Sequence, residues 1–322
     1  MKLFPLISTF SLATAAAVDK RAAVRQLVNF HGFAENIAIR ENGHILITSL
    51  QTTSIQYFDP AGPNTTLSLP PIPGANGLTG IVEVEKDVFA VAAGIWNITA
   101  QRETNASVWT VDLRASSSPT KATLKKILEI PETRALNGFT VIPDTSIVLG
   151  SDSVLGGIYA IDIVKRTYTL VIQDVLLQPL TPDAFLGVNG IDVFKSALYF
   201  ANSAKGIFGK IPIADDGTAT GPAETISQFN TTVVVGIDDF KIDDEGNAYI
   251  AAHPNAIYKV DVGGVQDVIV SGDEILDPTS LALGRRGGHV KKGGAPVIYA
   301  TVNRYDEADP LNNTGGVAMV TL

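Results

Sequence analysis

One pattern of strands recurs six times along the chain, and this repeat constrains the fold more than any other feature. Each copy has a polar or small residue, an alternating strand, a turn and a second strand. A period of about fifty residues with about four strands per copy is typical of propeller blades, which close radially and leave few exposed edges. The copies start at Glu35, Thr79, Asn137, Asn189, Asp238 and Thr279. We therefore predict an all-β fold, a six-bladed β-propeller with four-stranded blades.

The two ends of the mature chain are predicted to close the ring of blades. The stretch AVRQLVNF (residues 23–30) precedes the first copy, and GGVAMVTL (residues 315–322) ends the chain. Both have strand character, and we expect them to pair. The sequence offers no second domain, so residues 22–322 are predicted to form one propeller. The alternative is an irregular β-sandwich whose strands resemble one another by chance.

The first residues have the layout of a cleaved secretory signal. Residues 1–17 combine an early Lys2, an apolar run and small residues at the end, and the run is too short for a membrane span. Lys20 and Arg21 form a dibasic processing site, so residues 18–21 are predicted to be a short pro-segment. We expect a protein of the secretory pathway, secreted or vesicular, with no membrane span.

Five Asn-X-Ser/Thr sequons gain meaning from this signal, because sequons matter only in a secreted chain. The chain contains no cysteine, which excludes disulfides, zinc–thiolate sites and a thiol nucleophile. An oxidising compartment is therefore tolerated rather than exploited, and stability must come from packing. The predicted glycosylation sites are Asn64, Asn97, Asn105, Asn230 and Asn312.

The acidic charge of the chain argues against nucleic acid as a partner. The formal net charge is −9, whereas surfaces that bind nucleic acid carry clustered Lys and Arg. The sequence also lacks a Gly-rich loop that opens a helix, a His-Glu-x-x-His motif and a Gly-x-Ser-x-Gly elbow. Nucleotide-dependent and serine-hydrolase chemistry are therefore disfavoured. We expect a small, largely apolar substrate as the partner, and a monomer or weak dimer.

The six starting positions are expected to converge on one ring, because the innermost strand of each blade runs beside the propeller axis. Four of the six carry carboxylates or amides, whose oxygens suit Ca²⁺, Mg²⁺ or Mn²⁺. The alternative is that Asn and Asp at these positions are only turn residues. Their matched register favours a shared polar site, in which Asn137, Thr79 and Thr279 are candidates for contact with the substrate.

The ends of the second strands are expected to surround the mouth of this site, since binding chemistry usually lies on loops of a rigid scaffold. His253 is a candidate proton donor or acceptor there, with a structural hydrogen-bonded role as the alternative. Trp96 is a candidate wall of an apolar pocket, with core packing as the alternative. Asp152 and Asn202 are further catalytic candidates, and Arg304 is a candidate for substrate binding. Ser49 and Gln51 complete this set.

Several stretches resemble the senescence-marker-protein/gluconolactonase superfamily of six-bladed propellers and, over nearly all of the mature chain, its secreted fungal branch. In the lactonase members a Glu, an Asn and an Asp hold a divalent metal. The resemblance implies Glu35, Asn189 and Asp238 for these roles, with Asn137 near the substrate. Asn36 and Asp239 depart from the pattern of those members. The stretches that carry the resemblance are ENIAIRENGHILIT, LTGIVEVEKDVFAVAAG, LNGFTVIPD, LGVNGIDVFKSALYFANS, GTATGP and DDFKIDDEGNAYIAAHPN.

Within that branch the chain resembles hetero-Diels-Alderases of tropolonic sesquiterpenoid biosynthesis. The resemblance implies a pericyclase that joins a tropolone-derived quinone methide to a humulene-type terpene in meroterpenoid assembly. Such a reaction needs an apolar cavity and a few hydrogen bonds that polarise the heterodiene, here expected from His253 and Asn202, and it requires no cofactor. The alternatives are a divalent-metal lactonase or related hydrolase of the gluconolactonase type, and a non-catalytic secreted binding propeller.

Overall fold

The strands form six antiparallel sheets of four strands each, arranged as the blades of a β-propeller. The computed structural model describes residues 22–114, 118–181, 186–284, 297–306 and 309–322, with side chains described for all of these except 305, 306 and 309–312. The predicted signal and pro-segment lie outside the described residues. The predicted six-bladed, all-β fold is confirmed.

Five blades are each built from four consecutive strands that pair in chain order. Blade 1 contains β2 (Ala34–Ile39), β3 (Ile45–Ser49), β4 (Gln56–Phe58) and β5 (Leu67–Ser68). Blade 2 contains β6 (Gly77–Glu85), β7 (Val88–Asn97), β8 (Arg102–Asp112) and β9 (Thr123–Glu129). Blade 3 contains β10 (Leu136–Val141), β11 (Ile147–Asp152), β12 (Gly157–Asp162) and β13 (Thr167–Gln173). Blade 4 contains β14 (Val188–Phe194), β15 (Ala197–Asn202), β16 (Ile207–Pro212) and β17 (Glu224–Gln228). Blade 5 contains β18 (Gly236–Ile242), β19 (Ala248–His253), β20 (Ala256–Val260) and β21 (Gln266–Ser271).

The sixth blade joins the two ends of the chain. It contains β22 (Leu281–Leu283), β23 (Val297–Asp306) and β24 (Asp309–Thr321), and β1 (Ala23–His31) is its outermost strand. In the pairing of β1 with β24, Val24 lies opposite Val320 and Val28 lies opposite Val317. The predicted closure of the ring by the terminal strands is therefore confirmed.

The closing strand contributes to the core, which gives a test of its importance. Val28 is buried in a cluster with Ile45 and Val317. We expect Val28→Ala to lower the free energy of unfolding by about 2 kcal/mol, because two buried methyl groups and their contacts are lost. Val164→Ala is the matched control, because Val164 is 72% exposed and should cost little. Equal urea midpoints for the two variants would contradict a stabilising role for the closure.

The glycine that follows the predicted ring residue in blades 2, 3 and 4 has a packing role. A Cβ on Gly80 would lie 2.3 Å from the carbonyl oxygen of Asn137, and a Cβ on Gly138 would lie 2.6 Å from that of Asn189. A Cβ on Gly190 would lie 2.5 Å from the Cα of Asp239. Side chains at these positions would push neighbouring inner strands apart, so glycine sets how closely the blades approach one another around the channel.

Helical structure in the described part of the chain is limited to two short 3₁₀ turns, Pro119–Lys121 and Asp273–Ile275. No helix among those residues is long and apolar enough to cross a membrane. The apolar core lies between adjacent blades. Phe208 and Phe240, for example, bring blades 4 and 5 together in an edge-to-face contact of 5.0 Å between ring centroids.

Candidate functional site

A bulge at the start of the innermost strand prepares each of five blades for a central site. The pairing of first and second strands shifts register between Ala34 and Ile37, and the other four blades show the same irregularity between Leu78/Ile81, Leu136/Phe139, Val188/Ile191 and Ile237/Phe240. A bulge takes residues out of the ladder and re-aims their side chains. The predicted ring positions of blades 1 to 5 all fall inside these bulges.

Hydroxyl groups on neighbouring strands satisfy the backbone groups that the bulges release. Ser151 Oγ donates to the carbonyl oxygen of Asn189 at 2.6 Å, and the N–H of Gly138 donates to the same Ser151 oxygen at 2.9 Å. Ser203 Oγ likewise donates to the carbonyl of Ile237 at 2.6 Å. Because buried backbone groups need partners, these hydroxyls fix the bulges and the ring side chains that they carry.

The bulges open onto one cavity of about 670 Å³ at the end of the channel where the innermost strands begin. Four of the six predicted ring residues lie on the floor of this cavity. His253, at the end of a strand, and Asp277, in a loop, also lie there. The polar lining of the cavity floor comprises Glu35, Asn137, Asn189, Asp238, His253 and Asp277.

The two threonines of the predicted ring do not belong to the cavity lining. Thr79 Oγ1 donates to the carbonyl oxygen of Leu136 at 2.6 Å, and Thr279 Oγ1 donates to that of Glu35 at 2.8 Å. Both residues are buried. Their hydroxyls tie neighbouring inner strands together, so substrate contact by Thr79 and Thr279 stays a prediction.

His253 lies between two carboxylates on the cavity floor. Its Nε2 is 2.9 Å from Asp238 Oδ2, and its Nδ1 is 2.5 Å from Asp277 Oδ1. Burial by itself would lower the pKa of His253, but the hydrogen bonds to the two aspartates outweigh it and raise the pKa to about 10. At neutral pH the ring is therefore an imidazolium whose two N–H groups are both engaged.

Asp277 belongs to this site although the sequence did not indicate it. It lies in the connection between blades 5 and 6, with φ 44° and followed by Pro278, which has the appearance of an ordinary turn. Its partner His253 is 24 residues away. The only signal in the sequence was indirect, since a buried histidine beside one carboxylate has a second ring nitrogen that needs a partner.

The floor carries more acid than base. Burial raises the pKa of the Glu35 carboxyl well above its usual value, and the nearby Asp238 raises it further. Burial also raises the pKa of Asp238, although the hydrogen bond from His253 opposes this. Asp239, beside the cavity floor, has its pKa raised to about 7 by burial, with Lys241 acting in the opposite direction. Among the described lining residues, His253 is the only basic side chain.

Two floor side chains are available to a ligand. Within the described residues, the Asn137 amide and the Glu35 carboxyl make no side-chain hydrogen bond to protein, and both line the cavity. Asn189 uses Nδ2 to donate to Ser203 Oγ at 3.0 Å, which leaves its Oδ1 as an acceptor. The floor therefore offers an amide donor, a carboxyl group and an amide oxygen in one place.

The wall above this floor is apolar. It is contributed by the connection into blade 1, the mouth loops of blades 1, 2 and 5, and the segments that lead into blades 4 and 5. Val235 is 68% exposed and Ile98 is 42% exposed at the rim, so the apolar wall continues onto the outer surface. The wall includes Phe33, Leu50, Trp96, Ile98, Val235 and Pro254.

Of the predicted strand-end residues, only Trp96 and His253 line the cavity. Asp152 accepts the N–H groups of Val154 and Arg134, and Asn202 donates to the carbonyl oxygens of Leu176 and Gln178. Arg304 is exposed outside the lining. Ser49 is also outside it, while Gln51 accepts the N–H of Phe33. Catalysis by Asp152 and Asn202 and substrate binding by Arg304 stay predictions.

The donor chemistry of the floor fits a hard divalent cation. Glu35, Asn189 and Asp238 offer oxygen ligands of the kind that Ca²⁺, Mg²⁺ and Mn²⁺ prefer. No group of three or more His, Cys, Asp or Glu side chains close enough to share one ion occurs in the described residues, so an amide oxygen would have to complete the set. His253 partly neutralises the charge of Asp238.

Four of the five sequons have exposed asparagines in the described structure, at Asn64, Asn97, Asn105 and Asn230. An acceptor asparagine must reach the surface, so these positions are compatible with modification. The Asn312 side chain lies outside the described residues. Glycosylation and passage through the secretory pathway stay predictions.

Comparison with solved structures finds enzymes and a calcium-binding protein that share this propeller. A luciferin-regenerating enzyme is 15% identical with a TM-score of 0.66, over 94% of this chain and 95% of that one. The calcium-binding protein regucalcin from Agrobacterium tumefaciens is 15% identical with a TM-score of 0.64, over 94% of both chains. A candidate gluconolactonase is 12% identical with a TM-score of 0.59, over 93% of this chain and 92% of that one. At such identities the likeness shows the fold. No protein-family model matches the sequence, and no curated protein sequence matches it.

Proposed function

We propose that this propeller is an enzyme that holds two largely apolar organic molecules in its central cavity and promotes a hetero-Diels-Alder addition between them. The single observation that carries the proposal is the division of the cavity into an apolar wall and a compact polar floor. We take the heterodiene to be a tropolone-derived quinone methide and the dienophile to be a humulene-type terpene, as the sequence resemblance implies.

The proposed role of the wall is to hold and protect the reactants. In a [4+2] addition one C–C and one C–O bond form while three π bonds become one, so no oxidant, reductant or nucleophile is needed. Holding the two reactants in contact removes much of the entropic barrier of a bimolecular step. A wall of Trp96, Leu50 and Val235 also keeps water from adding to a quinone methide.

The proposed role of the floor is to polarise the heterodiene. A hydrogen bond to the quinone-methide oxygen withdraws electron density and makes its carbon terminus more reactive toward an electron-rich alkene. Asn137 Nδ2 is suited to this role because it lines the cavity without a protein partner in the described chain. The paired Asp238–His253–Asp277 group gives the floor a fixed electrostatic field that needs no reorganisation during reaction.

The test is to incubate the purified protein with a quinone-methide precursor and humulene. We expect a higher yield of dihydropyran adduct and a single preferred stereoisomer. Asn137→Ala should lower the rate by about 10²-fold, the size of effect seen when one positioned donor is lost. The matched control is Asn247→Ala, because Asn247 bonds Asp243 in a turn of blade 5 away from the cavity. A racemic adduct at the uncatalysed rate would refute the proposal.

The oxygen ligands of the floor favour a second candidate, a divalent-metal lactonase. Glu35, Asn189 and Asp238 would hold the ion, which would act as a Lewis acid toward a lactone carbonyl when bound. The apolar wall would orient the lactone, and Asn137 would bind its exocyclic oxygen. Asn36 and Asp239, which depart from the lactonase pattern, adjoin the ligand positions, so the added Asp239 carboxyl would change the charge around the ion.

Loss of one ligand separates the two candidates. We expect Ca²⁺, Mg²⁺ or Mn²⁺ at saturating concentration to raise the melting temperature of the parent protein if the floor binds the ion, because only the folded state has the site. Asn189→Ala should abolish that rise, whereas Asn247→Ala should retain it. If chelated protein hydrolyses lactones as well as the metal-loaded protein does, the metal mechanism is wrong. Adduct formation should survive chelation.

A further inference from the structure

The hairpin of β7 and β8 is longer than the corresponding hairpins of blades 1, 3, 4 and 5. These strands contain 10 and 11 residues, against 6 and 6 in blade 3. The extension begins at a register shift between Ala93 and Ile95, beyond which Trp96 pairs with Glu103. A bulge bends a hairpin and increases its twist. The bend brings Trp96, Ile98 and Gln101 to the cavity.

Asn76 holds one strand of this extension by imitating a β-ladder. Its Nδ2 donates to the carbonyl oxygen of Trp96 at 3.0 Å, and its Oδ1 accepts the N–H of Trp96 at 2.7 Å. The backbone N–H of Asn76 also donates to the carbonyl of Gly94 at 3.0 Å. Both backbone groups of Trp96 are therefore fixed by a single side chain that precedes β6.

Glu103 holds the other strand of the extension to blade 3. Its Oε2 accepts the N–H of Leu136 at 2.8 Å, and its backbone N–H donates to the carbonyl of Arg134 at 2.7 Å. The carboxyl lies against Gly94, where an added Cβ would be 2.1 Å from Oε1. Glu103 is 3% exposed. The anchor is thus buried between blades 2 and 3, directly beside Asn137.

The Trp96 ring itself is placed by packing and by its backbone. The indole contacts Leu50, Ala135 and Val154, so it is wedged between blades 1 and 3. Gly77 leaves room for it, since a Cβ there would lie 2.8 Å from Trp96 Cδ1. The indole Nε1 is buried and has no hydrogen-bond partner among the described residues. The orientation of the ring therefore depends on the two anchors of the hairpin.

We propose that Asn76 and Glu103 are positioning residues that fix the β7–β8 hairpin over the cavity, and that through Trp96 they determine which substrates fit. The selectivity part rests on the proposed function of the cavity, whereas the positioning part does not. Neither residue lines the cavity, so both act through the wall that they hold. The predicted result of loosening either anchor is a wider, less selective cavity with its floor unchanged.

The positioning part is tested with tryptophan as the reporter, because the chain has only Trp96 and Trp109. In a Trp109→Phe background, Asn76→Ala and Glu103→Ala should raise the acrylamide quenching constant of Trp96 by roughly twofold or more, as a locally opened hairpin exposes the ring. Glu103→Gln should leave it unchanged, because Gln retains the acceptor for Leu136. If Trp109→Phe does not fold, ¹⁹F NMR of 5-fluorotryptophan in the full chain gives the same readout from two separate signals.

Val28→Ala controls for general destabilisation, since Val28 is in the closing strand and not in the cavity lining. Equal Trp96 quenching in Asn76→Ala and the parent, or an equal increase in Val28→Ala, would overturn the positioning role.

With quinone methide and humulene as probes, both anchor variants should raise KM and lower stereoselectivity more than they lower kcat. A shift in quenching without any turnover in the parent would refute the proposed function and leave the positioning intact. A shift in quenching with unchanged KM and stereoselectivity would overturn the selectivity role.

Discussion

Replacing His253 with alanine is expected to destabilise the folded protein by about 3–5 kcal/mol at neutral pH, the usual cost of removing one partner from a buried charge pair. The imidazolium is the only basic side chain among the described residues of the cavity lining, and it bonds both Asp238 and Asp277. Without it these carboxylates and Glu35 share a buried site with no compensating charge. Urea unfolding of parent and variant measures the difference.

The control for this variant is His44→Ala. His44 contacts the hydroxyl of Tyr57 and the carboxylate of Asp59, but its side chain is 30% exposed and lies in the connection between β2 and β3 of blade 1. A partly exposed pair of this kind contributes about 1 kcal/mol or less. His253→Gln, which keeps one N–H donor, should fall between parent and His253→Ala and remains measurable if the alanine variant does not fold. Equal losses for His44→Ala and His253→Ala would show that the floor carboxylates do not depend on the imidazolium.

The repeat in the sequence was sufficient to predict the blades and their closure. Alternating strands with a fixed spacing leave few other ways to bury their apolar faces, and the polar residue that starts each of the first five copies marks the bulge where the innermost strand opens to the channel. For this reason Glu35, Asn137, Asn189 and Asp238 could be placed near one another before the structure was described, and they do line one cavity.

The direction of individual side chains could not be predicted in the same way. Strand register fixes the position of each Cα atom, but a short polar side chain there can hydrogen-bond to any of several nearby groups. Asp152 and Asn202 occupy the same strand-end position as His253, yet they bond to nearby backbone, whereas His253 reaches across to two carboxylates. Asp277 lies in a connection between blades. Such a loop has no alternating pattern from which the position of a side chain could be predicted.

The hairpin anchors escaped prediction for a related reason. Asn76 precedes a Gly and has the sequence appearance of a turn residue, while Glu103 lies in a polar stretch that is typical of an exposed hairpin. Burial of Glu103 depends on close packing against Gly94 on the paired strand and on the N–H of Leu136 in the neighbouring blade, and neither contact is visible in the local sequence pattern. A carboxyl group placed there has an unusual titration, and that titration can be measured.

Relative to a Glu103→Gln variant, the parent protein is expected to lose stability as pH rises. Burial raises the pKa of Glu103 from 4.5 to about 8, although the N–H of Leu136 favours the charged form. The folded state therefore keeps a proton that the unfolded state releases near pH 4.5. Its contribution to stability is complete below that pH. Above it the contribution falls by about 1.4 kcal/mol per pH unit, and the loss is complete once pH has passed about 8.

Urea midpoints of parent and variant across this window give the measurement, and the difference between the two curves isolates Glu103 from other groups. Glu129→Gln serves as the matched control, because Glu129 is 62% exposed and pairs with Lys126 on the surface; its curve should run parallel to that of the parent. Curves for Glu103→Gln and the parent that stay parallel would contradict a buried, protonated Glu103.

Because Glu103 also anchors the hairpin, its ionisation links stability to the shape of the cavity. A charged carboxyl beside Asp152, whose charge already raises the pKa of Glu103, would be driven toward water and would take β8 with it. Trp96 quenching in the parent should then increase as pH passes about 8, where the folded state loses this proton, and Glu103→Gln should remove both this increase and the pH-dependent loss of stability. If stability falls while Trp96 quenching stays constant, the carboxyl titrates in place and its ionisation does not open the hairpin.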